Sequence, residues 1–350
     1  MTGGPADMNR IGGGEARLNA MRGDVFAACA VLAMALWVFF GAWPDWLAGA
    51  LISKKTFVSA VLNGLTLSGL YFLVASGFTL IFGLMRNVNL AHGSLYLFGA
   101  YVGYEASTRS DVWLLGVAAG ALATAVVGLA MQILVFRRLE GDDLRQTLVT
   151  IGISIVAADL MLATWGGGAY QVTPPDALSG AVTLPIATGV TSSGTAVFLR
   201  YPFYRLIVAA IAIAIGCLLW LLLARTRIGM TIRAGVDDRA MLEASGVNAQ
   251  IVFAGVFALG AGLAGLAGVI GGSAFAISPG EDIHYLLASL VVVIVGGMGS
   301  IAGAVIGSLL IGLSEQIGLV YFPTYSVVLT FLIMVATLAV RPRGIMGKAR

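Results

Sequence analysis

The sequence predicts an all-α protein, a polytopic transmembrane bundle of about eight to ten membrane segments, some of them short or broken. Three observations carry that prediction. Hydrophobic residues make up 59 % of the chain and charged ones 11 %, with a mean hydropathy of +0.96; a water-soluble domain carries roughly 25 % charged residues. The apolar residues fall in successive windows, at 25–46, 57–84, 112–136, 147–165, 206–224, 251–277 and 285–340. Most of these reach the roughly 20 residues a spanning helix needs. Finally, Lys and Arg are sorted between alternate connections, as they are in polytopic membrane proteins.

Taken in order, residues 1–24 are polar, hold Arg10, Arg17 and Arg22, and are expected to form a cytoplasmic tail. A transmembrane helix over 25–48 follows; its apolar stretch is too long for the core of a cleavable signal. With ten segments and the N-terminus inside, only Lys54, Lys55, Arg109, Arg200 and Arg205 fall outside, against fifteen basic residues inside. Both termini then lie in the cytoplasm of a multi-pass protein, with 341–350 as the second tail. That asymmetry accounts for a pI near 8.9 and gives no reason to expect nucleic acid as a partner. Cys29 and Cys217 sit in apolar windows and read as small buried hydrophobes.

Two segments are too short to cross. The run "NLAHGSLYLFGAY" and its flank, 89–104, would rise only about 24 Å as a helix, against roughly 30 Å of hydrocarbon. The run 285–296 is shorter still and ends in "GGMGSIAG". Short or glycine-interrupted segments in the two halves of a transporter point to its binding site, because broken helices leave polar ends at mid-membrane. On a helix, Asn89, His92, Gly93 and Tyr96 would share one face, with Ser94 beside them. That lining is uncharged, which suits a small neutral or zwitterionic solute; it equally suits a polar knot that satisfies a neighbour's free carbonyls. Gly296, Gly297, Gly299 and Gly303 mark the second break. Glycines four apart, at 99/103, 116/120, 268/272 and 299/303/307, predict close helix packing.

The remaining polar features are sparse. Asp159 and Glu315 are acids inside apolar windows, and each reads either as a functional group or as a structural pair with a neighbouring helix. His284, Glu281 and Asp282 have the residue types of a metal trio but lie in an outer loop, and no metal or cofactor is expected. There is no HExxH, no G-x-S-x-G and no P-loop, so the chain is expected not to be an enzyme. Any ATP hydrolysis would belong to a separate subunit. The loop 165–202, rich in Gly, Ser, Thr and Pro, is either an ordinary connection or a docking surface for an external partner. The long inner loop 225–250 carries Arg233, Asp238 and Glu243 and predicts a short helix over 237–245 ended by Gly246, a suitable handle for a cytoplasmic motor.

Together, "NVNLAHGSLYLFGAY", "TRIGMTIRAGVDD…GVN", "VVVIVGGMGSIAGAVIG" and "RPRGIMG" resemble the permease subunits of bacterial ABC importers for branched-chain amino acids, a family shared with urea and short-amide importers. The resemblance runs over about 57–347, leaving the 25–48 helix outside it. It implies a permease domain (57–340) in the inner membrane, paired with a second permease subunit, two cytoplasmic ATPase subunits and a periplasmic or other external solute-binding protein. The family's motifs map onto Asn89, Ala91, His92 and Gly93 at the first short segment, Gly246 and Asn248 in the coupling loop, and Gly296, Gly297, Gly299 and Gly303 at the second. Three positions depart from them: Ser94 stands where many members have Glu, Ala240–Leu242 replace an E-A-A triplet, and Ala302 replaces a proline. The solute, branched-chain or other small hydrophobic amino acid against urea or another small organic molecule, stays open. A stand-alone secondary transporter is the rival class, disfavoured by the charged inner loop and the scarcity of membrane acids.

Overall fold

The computed structural model describes residues 54–85, 88–190 and 196–347, so the 1–24 tail, the 25–48 helix and the last three residues of the 341–350 tail lie outside the described residues. The chain forms α1 (Lys54–Met85), α2 (His92–Ser110), α3 (Trp113–Met131), α4 (Asp143–Trp165), β1 (Ala181–Val190), β2 (Ala196–Pro202), α5 (Phe203–Arg225), α6 (Arg227–Asp237), α7 (Arg239–Ala244), α8 (Ala249–Ala274), α9 (Glu281–Gly296), α10 (Ile301–Tyr321) and α11 (Ser326–Val340). Among the described residues, seven helices are long and apolar enough to cross a membrane, and α2 and α9 come in addition. The chain is therefore a polytopic helical membrane bundle. Residues 183–199, most of the small β1–β2 sheet, group apart from the helical unit of 59–182 with 200 onward.

A helix that is apolar all round belongs either in a core or against lipid, and burial separates the two cases. Of α1's most apolar stretch 89 % is buried, whereas α4 and α11, equally apolar, are 11 % buried. Thus α1 runs through the interior and α4 and α11 line the outside. Cys217 on α5 is likewise exposed rather than buried as its sequence context suggested. An apolar window therefore does not by itself imply burial within the chain.

Without a hydrophobic drive between helices in lipid, close van der Waals packing has to hold the bundle. The glycine pairs supply it. A methyl on Gly116 of α3 would lie 2.6 Å from Gly103 O, and one on Gly120 2.6 Å from Gly99 O, so the two small-residue stripes of α2 and α3 face each other directly. Gly99 also abuts Gly265, and Gly268 the backbone of Tyr96, which brings α8 onto the same seam. The helix α2 is longer than its apolar run: it continues past Tyr104 through an exposed Arg109–Glu105 ion pair of 2.6 Å to Ser110. Its 19 residues span about 28 Å. The helix α9, at 16 residues, stays short and largely buried.

The break after α9 is built jointly by two of the distant motifs. Gly297 (φ 107°) and Gly299 (φ 80°) adopt the left-handed region that glycine alone enters freely, and Ser300 Oγ then accepts from Gly303 N at 3.0 Å to start α10. Left alone, the last carbonyls of α9 would have no partner within their helix. Instead, Ile345 N and Met346 N of the "RPRGIMG" segment donate to Val295 O and Gly296 O, each at 2.9 Å. The terminal motif is a cap for the interrupted helix.

Candidate functional site

The head of α2 collects the first group of expected site residues. Asn89 does not share the helical face with His92, Gly93 and Tyr96, because the helix starts only at His92. Asn89 Oδ1 accepts from Ala91 N at 3.0 Å and its carbonyl from His92 N at 3.2 Å. Such an Asx turn competes with helix and holds Asn89 one step before it. His92 is fully buried; its Nε2 lies 3.0 Å from Val74 O of α1 and its ring meets Phe78 edge-on at 5.4 Å. Since Val74 O can only accept, Nε2 carries the proton and Nδ1 is left as an acceptor. Among the described residues, neither that Nδ1 nor the Asn89 amide nitrogen Nδ2, both buried, has a hydrogen-bond partner.

The other members pin this head in place. Ser94 Oγ and Ser154 Oγ of α4 are 2.8 Å apart, and Leu90 N donates to Thr150 Oγ1 at 3.2 Å. Gly93 lets the backbone of Asp282 and the side chain of Leu286, both on α9, come directly against α2. Tyr96 stacks on Tyr285 of α9 with centroids 4.0 Å apart. Asn89, His92, Ser94 and Tyr96 are each 4 % exposed or less, so the cluster is sealed in this conformation. Gly296 and Gly303 pack on each other at the far end of α9. The two expected pieces are therefore joined by α9, one at its first turns and one at its last, rather than set face to face.

A third polar group was not foreseen as a unit. Tyr71 Oη of α1 donates to Glu315 Oε2 of α10 at 2.8 Å. His284 Nε2 of α9 is 3.0 Å from the same phenol oxygen. The phenol has one proton and gives it to the carboxylate, so His284 must donate through Nε2. The result is a relay His284–Tyr71–Glu315 that ties three helices, with Tyr285 packed edge-on against Tyr71 at 5.9 Å. In the sequence these residues are separated by 213 and 244 positions; Glu315 stands out as an acid in an apolar window, His284 only as a member of an expected outer-loop trio that in fact starts α9, and Tyr71 not at all. Asp159, the other such acid, is exposed on α4.

The 225–250 segment folds as two helices. The short one, α7, spans Arg239–Ala244, narrower than the expected 237–245, and α6 before it was not anticipated as a separate helix. Both starts, and that of α8 after them, are capped by a side chain: Thr226 Oγ1 accepts from Gly229 N at 3.1 Å, Asp238 Oδ1 from Met241 N at 3.1 Å, and Asn248 Oδ1 from Gln250 N at 3.0 Å. Gly246 closes α7 with φ 82°. Ile232 and Leu242 are buried with Leu80, Leu84, Leu219 and Phe253, which anchors both helices on the ends of α1, α5 and α8. Arg233, Asp238, Glu243, Gly246 and Asn248 remain exposed, and Arg233 donates to Leu223 O.

The structure thus combines a buried polar cluster at the head of α2, a capped pair of exposed helices and a bundle held by glycine seams. The chain belongs to the family described as branched-chain amino acid transport system / permease component, whose model matches residues 60–338. It is 29 % identical over 304 residues to the high-affinity branched-chain amino acid transport system permease protein BraD of Pseudomonas aeruginosa, covering 83 % of this chain and 96 % of that one. To LivH of Escherichia coli, a permease protein of the same description, it is 28 % identical over 305 residues, covering 83 % and 96 %. The second such protein of that organism, LivM, is 25 % identical over 335 residues, covering 91 % of this chain and 75 % of LivM.

Proposed function

We propose that this chain is the permease subunit of an ATP-driven importer that passes branched-chain or other small hydrophobic amino acids across a bacterial inner membrane, with both termini in the cytoplasm. The observation that carries the reading is the orphan pair at the head of α2. Buried polar groups are nearly always paired, and leaving one unpaired costs about 1–3 kcal/mol. Asn89 Nδ2 offers a donor and His92 Nδ1 an acceptor, the complements of a carboxylate and an ammonium. When α2 and α9 part, a zwitterion meets both without any fixed charge to trap it. Neutral hydrogen bonds of about 1 kcal/mol each give the weak hold a conduit needs. Selectivity then belongs to an external binding protein that delivers the solute.

The partners follow from what the chain lacks and what it exposes: a second permease subunit, and two cytoplasmic ATPase subunits acting on α7. Asp238, Glu243, Gly246 and Asn248 shape that handle, and Arg233 fixes α6 behind it. The names of the relatives support branched-chain amino acids as the solute. Uptake of labelled leucine by the assembled importer is the test. Asn89→Ala and His92→Phe are each expected to lower the initial rate at least about tenfold, with the complex still recovered intact; a rate unchanged in both variants removes the pair from the path. Uptake of urea in place of leucine would move the solute class and leave the path where it is.

A further inference from the structure

We propose a second solute site, on the face that carries α6 and α7: a cleft for a free amino acid of the transported class, set between the α3–α4 connection and the coupling segment. The inference rests on the preceding reading for the solute class and for calling this face cytoplasmic. The cleft has a volume of about 480 Å³, within the roughly 300–1,000 Å³ of small-molecule sites. Its lining includes Gln132, a side chain 2 % exposed whose Oε1 has no hydrogen-bond partner among the described residues. An amide oxygen can only accept, so it calls for an N–H or O–H donor from whatever enters. A second feature marks the same place. The helix widens into a π turn over Gln132–Phe136, which carries both of those residues into the cleft wall. Turns of this kind are rare and recur at functional sites.

The remaining walls match the three parts of an aliphatic amino acid. Leu84, Phe136 and Phe253 make an apolar side for the hydrocarbon chain. Arg137 offers a guanidinium to the carboxylate, and Glu140 joins Gln132 Oε1 as acceptors for the ammonium. An apolar ligand would leave Gln132 unsatisfied, and a plain anion would face Glu140 and Asp143. The position also gives the site a consequence. Glu140 Oε2 accepts from Gln250 Nε2 at 2.9 Å in the first turn of α8, and Asp238, another wall residue, caps α7. A bound amino acid would bridge the α3–α4 connection to α6 and α7, so that solute accumulated inside restrains the very helix on which the ATPase acts.

The test is equilibrium binding of tritiated leucine to the full chain in lipid nanodiscs without partner subunits. Saturable binding is expected, weakened about tenfold by Arg137→Gln and by Gln132→Met, and unchanged by Asp159→Asn on the exposed side of α4. Arg137 is exposed, so its variant folds even if the Gln132 one does not. Absence of binding to the unaltered chain, binding in both cleft variants equal to that of the unaltered chain, or an equal loss on Asp159→Asn would overturn the site. So would protection of Arg137 from phenylglyoxal by an added ATPase subunit but not by leucine, which would make the cleft a protein contact. Because the readout is binding, a failure here leaves leucine uptake untouched, and a failure of uptake leaves the binding result standing.

Discussion

At the scale of single residues, the polar groups inside this bundle divide into those with complete hydrogen-bond sets and those without. Tyr71 belongs to the first kind, since its one phenol serves His284 and Glu315 together. Tyr71→Phe strips a half-buried carboxylate of its donor and is expected to cost about 2–3 kcal/mol. Glu315→Gln keeps an acceptor and should cost about 1 kcal/mol. Thermal unfolding in detergent checks the order; a Tyr71→Phe protein that melts with the unaltered one would show the relay to be idle. Asn89 and His92 belong to the second kind. The sequence marks both as odd residues for their place, yet reads Asn89 onto a helical face that its own Asx turn denies it. Local side-chain-to-backbone competition decides such boundaries, and periodicity is blind to it.

At the scale of elements, the two glycine breaks carry different loads. Gly297 has φ 107° and a methyl there would lie 2.6 Å from Gly347 N, so Gly297→Val meets both backbone strain and a clash. A loss of about 3 kcal/mol or more is expected, and deleting 344–350 should lower the melting temperature in the same way, by baring Val295 O and Gly296 O. Equal melting of the truncated and full chains would refute the cap. Gly246 has φ 82°, but a methyl there would meet no other described residue within 4 Å, so Gly246→Val costs mainly the left-handed conformation, about 1–2 kcal/mol. The complex should still assemble while ATP-dependent uptake falls; retained uptake would free α7 from the coupling role. The sequence shows both breaks, because a helix stop signal is local. It does not show that "RPRGIMG" caps "VVVIVGG", nor that α2 meets α3 glycine to glycine, because those pairings exist only once the chain is packed.

At the scale of the whole molecule, the membrane bundle was legible from composition and windows alone, since in lipid backbone groups must be satisfied within the protein and long apolar helices do so most simply. Burial was not legible, because lipid rewards the same side chains as a core does: α1 and α4 look alike in sequence and occupy opposite environments, and Cys217 was misjudged for that reason. The site was half legible. Its residues stand out by type, but the orphaned atoms, the Tyr71 relay and the cleft under the π turn depend on contacts between distant helices. The central claim is that this chain is the membrane path of an ATP-driven amino acid importer. The most direct measurement is leucine uptake into proteoliposomes that hold the complex purified through this chain from its native membrane, with and without ATP on the side of α7. Uptake that requires ATP, in a complex containing an ATPase and a second permease, is the predicted result. Equal uptake without ATP by this chain alone would contradict it.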